Sequence, residues 1–456
     1  MRVEDIPGKR FAVIGGARSG LAVALLLKEH RAEVFLSELA PEEKMPAVRA
    51  ELEAHGIPFE FGAHSLRVFD AETLVLSPGV LSDAPVVREA HARGHGVVSE
   101  LEVASWFCRG PVVAITGTNG KTTATTLTGR LLFDAGVPAV VAGNIGTAFS
   151  EVVTGMPPGG TAVVEVSSFQ LDHIRTFRPK VAILLNITPD HLDRYEHSFE
   201  KYIASKCRIF ENQGSGDVLI YNEDDEVTRT RVASGAAPGL RLLPFSLQGR
   251  VAEGAWIENG CLVTVLKGRR TEILPAENVA IPGLHNLSNA MAATLAGQVM
   301  GISGPSIRRT LEEFRGVEHR LESVRTVNGV HFVNDSKATN VESVWYALQS
   351  FVSPIVLLLG GRDKGNDYSR LQALVRDHCR VIIAIGESAG KVRESFEHLV
   401  PVHVATTMED AVRKGARYAH PGDTVLLSPA CASFDWFEDY EHRGRVFKSV
   451  VSNLVM

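Results

Sequence analysis

Residues 112–132 read VVAITGTNGKTTATTLTGRLL. A run of apolar and β-branched residues forms a buried-type strand, the turn Gly117-Thr118-Asn119-Gly120 follows, and Lys121-Thr122-Thr123 opens a helical run. A turn of this kind aims backbone N–H groups at an anion. It adds the Lys121 ammonium for the outer phosphates of a nucleotide and offers the Thr122 hydroxyl to Mg²⁺. Position 115 is isoleucine, so the spacing is that of a shorter form, TGTNGKT, rather than G-x-x-x-x-G-K-[ST]. An ordinary strand-to-helix turn is the competing reading; Gly-Lys-Thr at the start of the helix favours phosphate.

A phosphate loop needs a carboxylate on a neighbouring strand to hold its metal. TAVVEVSSFQL supplies Glu165 at the end of an apolar strand, where burial without a partner is costly and Mg²⁺ is a natural one. Further on, SFEKYIASKCRIFEN reads as a helix with Phe199, Ile203, Lys206 and Phe210 on one face. Lys206 therefore sits among apolar neighbours, where its long side chain either carries the ammonium out to water or serves a site. The loop ITPDHLDRY is placed to bring His191 to the same crevice, unless that ring only pairs with Asp190 or Asp193.

Around this segment the chain shows three blocks of alternating strand and helix patterns, the mark of open, mostly parallel sheets. The expected fold is α/β in three domains: a Rossmann-like domain over 1–100, a central P-loop domain over 101–316, and a Rossmann-like domain over 317–456. Within the second, short alternating stretches between Trp256 and Leu274 predict a small antiparallel ribbon. In the third, Asn328-Gly329 between VRTV and VHFVN predicts a hairpin. The first block opens on its own glycine turn, VIGGARSG from Val13.

A length of 456 residues fits several domains. The charge of -6 has no long run of one sign, which gives no basis for a nucleic-acid or membrane-surface partner. Five widely spaced cysteines without a C-x-x-C pair fit a reducing compartment. No apolar run approaches the ~18 residues of a membrane span and the first residues lack a signal-peptide pattern, so a cytoplasmic, unanchored protein is expected.

TGTNGKTT, EVSSFQLD, NITPDHLDRY, YIASKCRIF, GLHNLSNA and HRLE, in this order, resemble the Mur ligase family, the ATP-dependent amide-forming enzymes of peptidoglycan precursor synthesis. NDSKATN, LLGGRDKG and LSPACASFDWFEDYEHRG resemble the member that handles D-glutamate. The resemblance spans Val13 to Gly444. It implies an acid–D-amino-acid ligase that adds D-glutamate to UDP-N-acetylmuramoyl-L-alanine through an acyl phosphate, working as a cytoplasmic monomer with ATP and two Mg²⁺ sites. One glycine turn would then grip ATP and the other a UDP-sugar.

Carried over by position, the resemblance assigns the phosphate turn and Lys121, Thr122 and Thr123 to ATP, together with Asn286, Asn289, Arg320 and Asp335. Thr122 and Glu165 would hold one Mg²⁺; His191 and Lys206, the latter as a carbamate, would hold a second. Arg18, Ser19, Ser37, Ser77, Gly79, Asn144, Ser167 and Gln170 would meet the UDP-sugar substrate. Lys337, Thr339, Lys364, Ser433 and Phe434 would surround D-glutamate, whose two carboxylates need cationic and hydroxyl donors. At two points the pattern departs from the family: Ala17 replaces the middle glycine of G-x-G-x-x-G, and Ser37-Glu38 stands where a polar-basic pair is usual. Glu38 also suits a ribose-binding acid in an NAD-dependent oxidoreductase, which would leave TGTNGKTT and Lys206 without a role. Two rival functions keep the ATP site: a plain P-loop NTPase or kinase, and a Mur-type ligase for a different amino acid.

Overall fold

The computed structural model describes residues 1–144, 146–363 and 365–454. Among these the chain is mixed α/β and divides into two compact units. The first comprises Met1–Asn278 with Ser288–Glu312, and the second Val279–Leu287 with Glu313–Met456.

The first unit holds two sheets. The smaller runs Phe59–Phe61, Glu33–Glu38, Arg10–Ile14, Thr73–Leu76, Gly96–Ser99, with every neighbouring pair parallel. Its centre is the apolar strand RFAVI, four of whose five residues are buried. Strand order reverses on either side of Arg10–Ile14, so the glycine turn that leaves this strand opens onto a crevice at the carboxyl edge. Gly20 lets the helix Arg18–Glu29 start there, because a Cβ at this position would lie 1.8 Å from the Gly15 carbonyl oxygen.

The larger sheet places Val112–Thr116 between Thr161–Glu165 and Val181–Leu184, again all parallel. Ala139–Gly143 closes one edge, and Val218–Asn222 and Arg241–Ser246 continue the other. The expected ribbon is present as Gly254–Glu258, Cys261–Leu266 and Arg269–Pro275, paired antiparallel. It is not a separate piece: Phe245 and Ser246 pair in parallel with Ala255 and Trp256, so the ribbon extends the same sheet.

In the second unit a six-stranded sheet runs Glu322–Val327, Val330–Asn334, Thr424–Leu427, Ile355–Gly360, Cys379–Ile385, Val402–Val404. Glu322–Val327 and Val330–Asn334 form the antiparallel hairpin. Its turn residues Asn328 and Gly329 have φ of 49° and 79°, the left-handed pair that an Asn-Gly turn supplies. The other pairs are parallel. No helix among the described residues is long and apolar enough to cross a membrane.

Inside the first unit, a buried carboxylate fastens the helix Glu100–Phe107 to the segment before Val181–Leu184. Glu102 accepts the backbone N–H groups of Arg175 (2.9 Å), Thr176 (3.0 Å) and Phe177 (2.9 Å), and the Trp106 indole N–H (2.9 Å). Burial opposes its ionisation, but these donors outweigh burial and hold its pKa below the ordinary carboxylate value. The stabilisation is therefore full above that ordinary value and is lost as pH falls through the depressed one. Glu102→Ala strands three backbone donors and is expected to lower stability by about 3 kcal/mol or more at pH 7. Denaturant melts of the two proteins should converge as the buffer is made acidic; a loss that is the same at every pH would contradict the account.

Candidate functional site

The turn Gly117-Thr118-Asn119-Gly120, the candidate phosphate site, lies where Val112–Thr116 meets the helix Lys121–Asp134. Gly120 caps that helix in the left-handed region at φ 86°, and a Cβ on it would fall 2.4 Å from the Asn289 side-chain oxygen. One backbone hydrogen bond and one side chain set the turn. Thr118 N–H donates to Asn186 O (2.9 Å), and the Asn186 side chain accepts Asn119 N–H (2.9 Å) and donates to Asn119 O (3.1 Å).

Lys121 folds back over the turn and donates to the carbonyls of Gly117 and Thr118, both at 2.8 Å. Lys206, on the buried face of the helix Phe199–Cys207, donates to the same Gly117 oxygen at 2.9 Å. It is 2% exposed and its ammonium lies 4.7 Å from the centre of the Tyr202 ring, so it does not reach out to water. Burial first, and the Lys121 charge second, push its pKa well below 10.5. Two ammonium groups thus converge on one carbonyl oxygen.

Opposite them, Thr122 Oγ1 donates to Glu165 Oε2 at 2.7 Å, and the Asn144 amide donates to Oε1 at 3.3 Å. Glu165 is 2% exposed. A buried carboxylate beside a helix-start hydroxyl is an oxygen donor set that suits Mg²⁺. His191 stands at the start of the short turn Leu192–Tyr195 with a left-handed φ of 51°. Its exposed ring meets the edge of Phe169 at 5.2 Å and lies 3.7 Å from the Asp190 carboxylate. Ser167 and Gln170 cap the helix Ser168–Leu171 reciprocally, with Ser167 N–H donating to Gln170 Oε1 at 3.0 Å.

At the first glycine turn a pocket of about 590 Å³ is lined by Arg18, Ser19, Ser77, Gly79 and Asn144 among others. Ser77 Oγ ties it to Gly15 O at 2.8 Å, and Arg18 donates to Asn144 O at 3.3 Å. Ser37 is placed differently: fully buried and outside the lining, it bonds the Glu60 carboxylate and the His64 ring, each at 2.6 Å. Glu38 does line the pocket, and its carboxylate accepts Gly16 N–H (2.6 Å) and Ala40 N–H (2.7 Å). The acid that fits a ribose on paper is thus turned towards its own backbone.

In the second unit, Asp335 accepts Ser428 Oγ (2.8 Å) and Leu321 N–H (3.3 Å), and burial pushes its pKa up to about 6 against the pull of Arg320. Asn286 is buried, its amide donating to Pro282 O at 2.7 Å. Lys337 and Thr339 share the loop after Val330–Asn334, and Lys337 points its ammonium at the Tyr440 ring, 5.4 Å away. Ser433 is buried, whereas Phe434 is 63% exposed. Lys364 lies outside the described residues. Glu318, His319 and Glu322 gather their ligand atoms closely enough for a cation, but Lys448 already donates to both glutamates at 2.5 and 2.8 Å.

Tyr440 and Arg443 are the residues that sequence reasoning passed over. The buried Arg443 guanidinium bonds Ser336 Oγ (2.9 Å), Ser336 O (2.7 Å) and Cys431 O (3.1 Å), and burial lowers its pKa to about 10. It thereby ties the loop of Lys337 to the loop of Ser433. Its signal was the one that marked Lys206: on the helix Tyr440–Ser452 it shares the buried face with Phe447 and Val451, at spacings of four.

Two family models match the chain: the Mur ligase middle domain over residues 115–297, and the Mur ligase, glutamate ligase domain over 319–431. The UDP-N-acetylmuramoylalanine--D-glutamate ligase of Salinibacter ruber is 49% identical over the full length of both chains. The protein of the same name from Chloroherpeton thalassium is 46% identical, also over both full lengths. Among solved structures, the UDP-N-acetylmuramate-alanine ligase of Thermotoga maritima superposes with a TM-score of 0.60 at 20% identity, covering 97% of this chain and 99% of that one. A pseudomurein peptide ligase from Methanothermus fervidus gives 0.60 at 18%, covering 98% and 99%. At such identities these two share the fold.

The crowding of Lys206 and Lys121 on one oxygen has a measurable consequence. With its pKa depressed by folding, unmodified Lys206 contributes stability that rises as pH climbs from the depressed value towards 10.5. Lys206→Met removes the buried amine at similar volume and is expected to raise stability near neutral pH, where folding otherwise has to strip or bury that charge. Melts in CO₂-free buffer should show a flatter pH dependence for the variant; a parallel dependence would remove Lys206 as its source.

Proposed function

The chain belongs to the Mur ligase family, and we infer that it joins D-glutamate to UDP-N-acetylmuramoyl-L-alanine in a reaction coupled to ATP cleavage, as its full-length relatives are named for doing. The observation that carries this reading within the molecule is the convergence of Lys121 and Lys206 on Gly117 O beside the Thr122–Glu165 pair. A crevice so arranged is made for anions to enter.

The substrate carboxylate is a poor electrophile, because its leaving group would be oxide. Transfer of the γ-phosphoryl group of ATP to it gives an acyl phosphate; the D-glutamate amine attacks the carbonyl carbon, and the tetrahedral intermediate expels inorganic phosphate as the amine loses its proton. Most of what the protein contributes is positioning and charge neutralisation. In this reading Lys121 exchanges its two carbonyl partners for the outer phosphate oxygens, with turn N–H groups beside it. Thr122 and Glu165 are the residues that would hold one Mg²⁺, which when bound would neutralise phosphate charge. Thr123, Asn286, Asn289, Arg320 and Asp335 complete the proposed ATP contacts.

Lys206 and His191 are proposed for the second Mg²⁺, with Lys206 carried as a carbamate. Carbamate formation requires an unprotonated amine, and the depressed pKa of the buried lysine supplies one. The modification would also turn a crowded cation into an anion. Arg18, Ser19, Ser77, Gly79 and Asn144, as pocket residues, support the placement of the nucleotide end; Ser167 and Gln170, outside that lining, are proposed for the muramoyl-alanine end. For D-glutamate, the assignment of Lys337, Thr339 and Ser433 is supported by the loops that Arg443 joins, and Tyr440 belongs with them in place of the exposed Phe434. Ser37, buried against Glu60, acts in this reading by fixing His64 in the pocket wall. The proposed domain roles are UDP-sugar for 1–100, ATP for 101–316 and amino acid for 317–456, in a cytoplasmic monomer.

Phosphate release from ATP with Mg²⁺ and UDP-N-acetylmuramoyl-L-alanine tests the function when D-glutamate, L-glutamate, L-alanine, L-lysine and meso-diaminopimelate are added separately. Only D-glutamate should drive release, with a product heavier by one glutamyl residue. Another active amino acid would overturn the reading of the second unit, and release without any acceptor would point to a plain NTPase. Lys206→Ala should reduce turnover by about 100-fold or more, with partial recovery in high concentrations of a short carboxylic acid. Wild-type turnover in that variant would remove the lysine from the metal site.

A further inference from the structure

Resting on the reading that the 590 Å³ pocket takes the nucleotide end of the substrate, we propose that Arg194 is a positioning residue that fixes the pocket wall and the His191 loop to one another. Arg194 follows His191 by three residues, in the turn Leu192–Tyr195. Its guanidinium crosses to the first sheet's crevice and donates to Pro78 O at 3.0 Å and to Gly79 O at 3.1 Å. Both residues line the pocket, as do Val80 and Leu81 after them. The same guanidinium lies 4.0 Å from the centre of the Phe169 ring, and Phe169 in turn meets the His191 ring. One planar cation therefore touches the wall of one site and the aromatic support of the other.

Two further observations make this more than a contact between neighbours. The His191 loop is strained: His191, Glu196 and His197 all have left-handed φ, at 51°, 53° and 56°, without being glycine. Such a path persists only where side chains over-determine it. Arg194 is one anchor, and Tyr195 is the other, buried with its hydroxyl donating to Asp172 Oδ2 at 3.0 Å. The far end of the pocket wall is held as well, by Ser82, whose Oγ lies 3.0 Å from His173 Nε2 and 3.4 Å from Asp172 Oδ2. With that end fixed to Asp172, the same carboxylate that holds Tyr195, the two carbonyl bonds from Arg194 set the opening of the wall. The bidentate geometry is specific to arginine, since a lysine ammonium over Phe169 cannot span both carbonyl oxygens.

The test compares wild type with Arg194→Ala and Arg194→Lys in two assays: calorimetric binding of UDP, and D-glutamate-dependent phosphate release. Loss of a charged bidentate contact to the wall should weaken UDP binding and raise KM for UDP-N-acetylmuramoyl-L-alanine by about tenfold in Arg194→Ala. The value of kcat should fall while KM for D-glutamate stays within about twofold, because the displaced wall lies on the nucleotide side. Arg194→Lys should be intermediate, and methylguanidinium should restore part of the loss in Arg194→Ala. A UDP affinity and nucleotide KM within about twofold of wild type would overturn the proposal, as would equal rises in KM for both substrates. If Arg194→Ala does not fold, Arg194→Lys decides by the same criteria. Failure of the functional reading is a different result: wild type itself would then show no D-glutamate-dependent release or no affinity for UDP.

Discussion

Two ammonium groups share one carbonyl oxygen. Lys121 and Lys206 both donate to Gly117 O, one from the start of the helix that follows the turn and one from a helix much further along the chain. Such a pair repels unless negative charge arrives or one member gives up its proton, and burial makes the second course easier for Lys206. Burial and the Lys121 charge thus both act against a proton on Lys206, and outweigh the pull of Asp190 and Asp172. Under the proposed function, phosphate, a substrate carboxylate and a carbamate on Lys206 would each place negative charge beside these two amines.

The acid on the other wall follows the same logic with the sign reversed. Glu165 ends an apolar strand, is almost fully buried, and has the Thr122 hydroxyl and the Asn144 amide as partners, both neutral. Parallel strands put all of these groups at one edge, because the strand ends and the helix starts lie on the same side of the sheet. The two glycine turns use this geometry twice within one compact unit. Asn144 links them physically, touching both Glu165 and Arg18.

In the second unit the charges are managed differently. Arg443 is buried without an acidic partner among its hydrogen bonds and directs its donors to Ser336, Cys431 and Ala432. It ties two separate loops to each other through one guanidinium. Lys448 acts similarly at the surface, where it fills what would otherwise be a cluster of Glu318, His319 and Glu322.

Local signals in the chain determined a great deal. Strand and helix periods indicated the α/β class; Asn328-Gly329 indicated a hairpin, since few residues accept two successive left-handed conformations; and Gly117 to Thr122 marked a candidate anion site, since the loop, the cation and the hydroxyl are consecutive. Lys206 was visible as a cation at an apolar helical register, but whether it reached water was not, because that depended on Gly117, far away in the chain, as well as on Tyr202. For the same reason Arg443 was not legible despite an identical signal: its partners lie 12 and 107 residues away. Ser37 and Glu38 show the converse, as adjacent residues with similar apparent roles that the fold separates. The period-2 alternation of the strand turns Ser37 towards Glu60 and His64, and leaves Glu38 at its end to fold over the Gly16 turn. Sequence by itself determined which chemistry was available and on which kinds of element; the tertiary structure decided which groups meet, because burial and charge–charge distance are set by contacts between segments that no local pattern encodes.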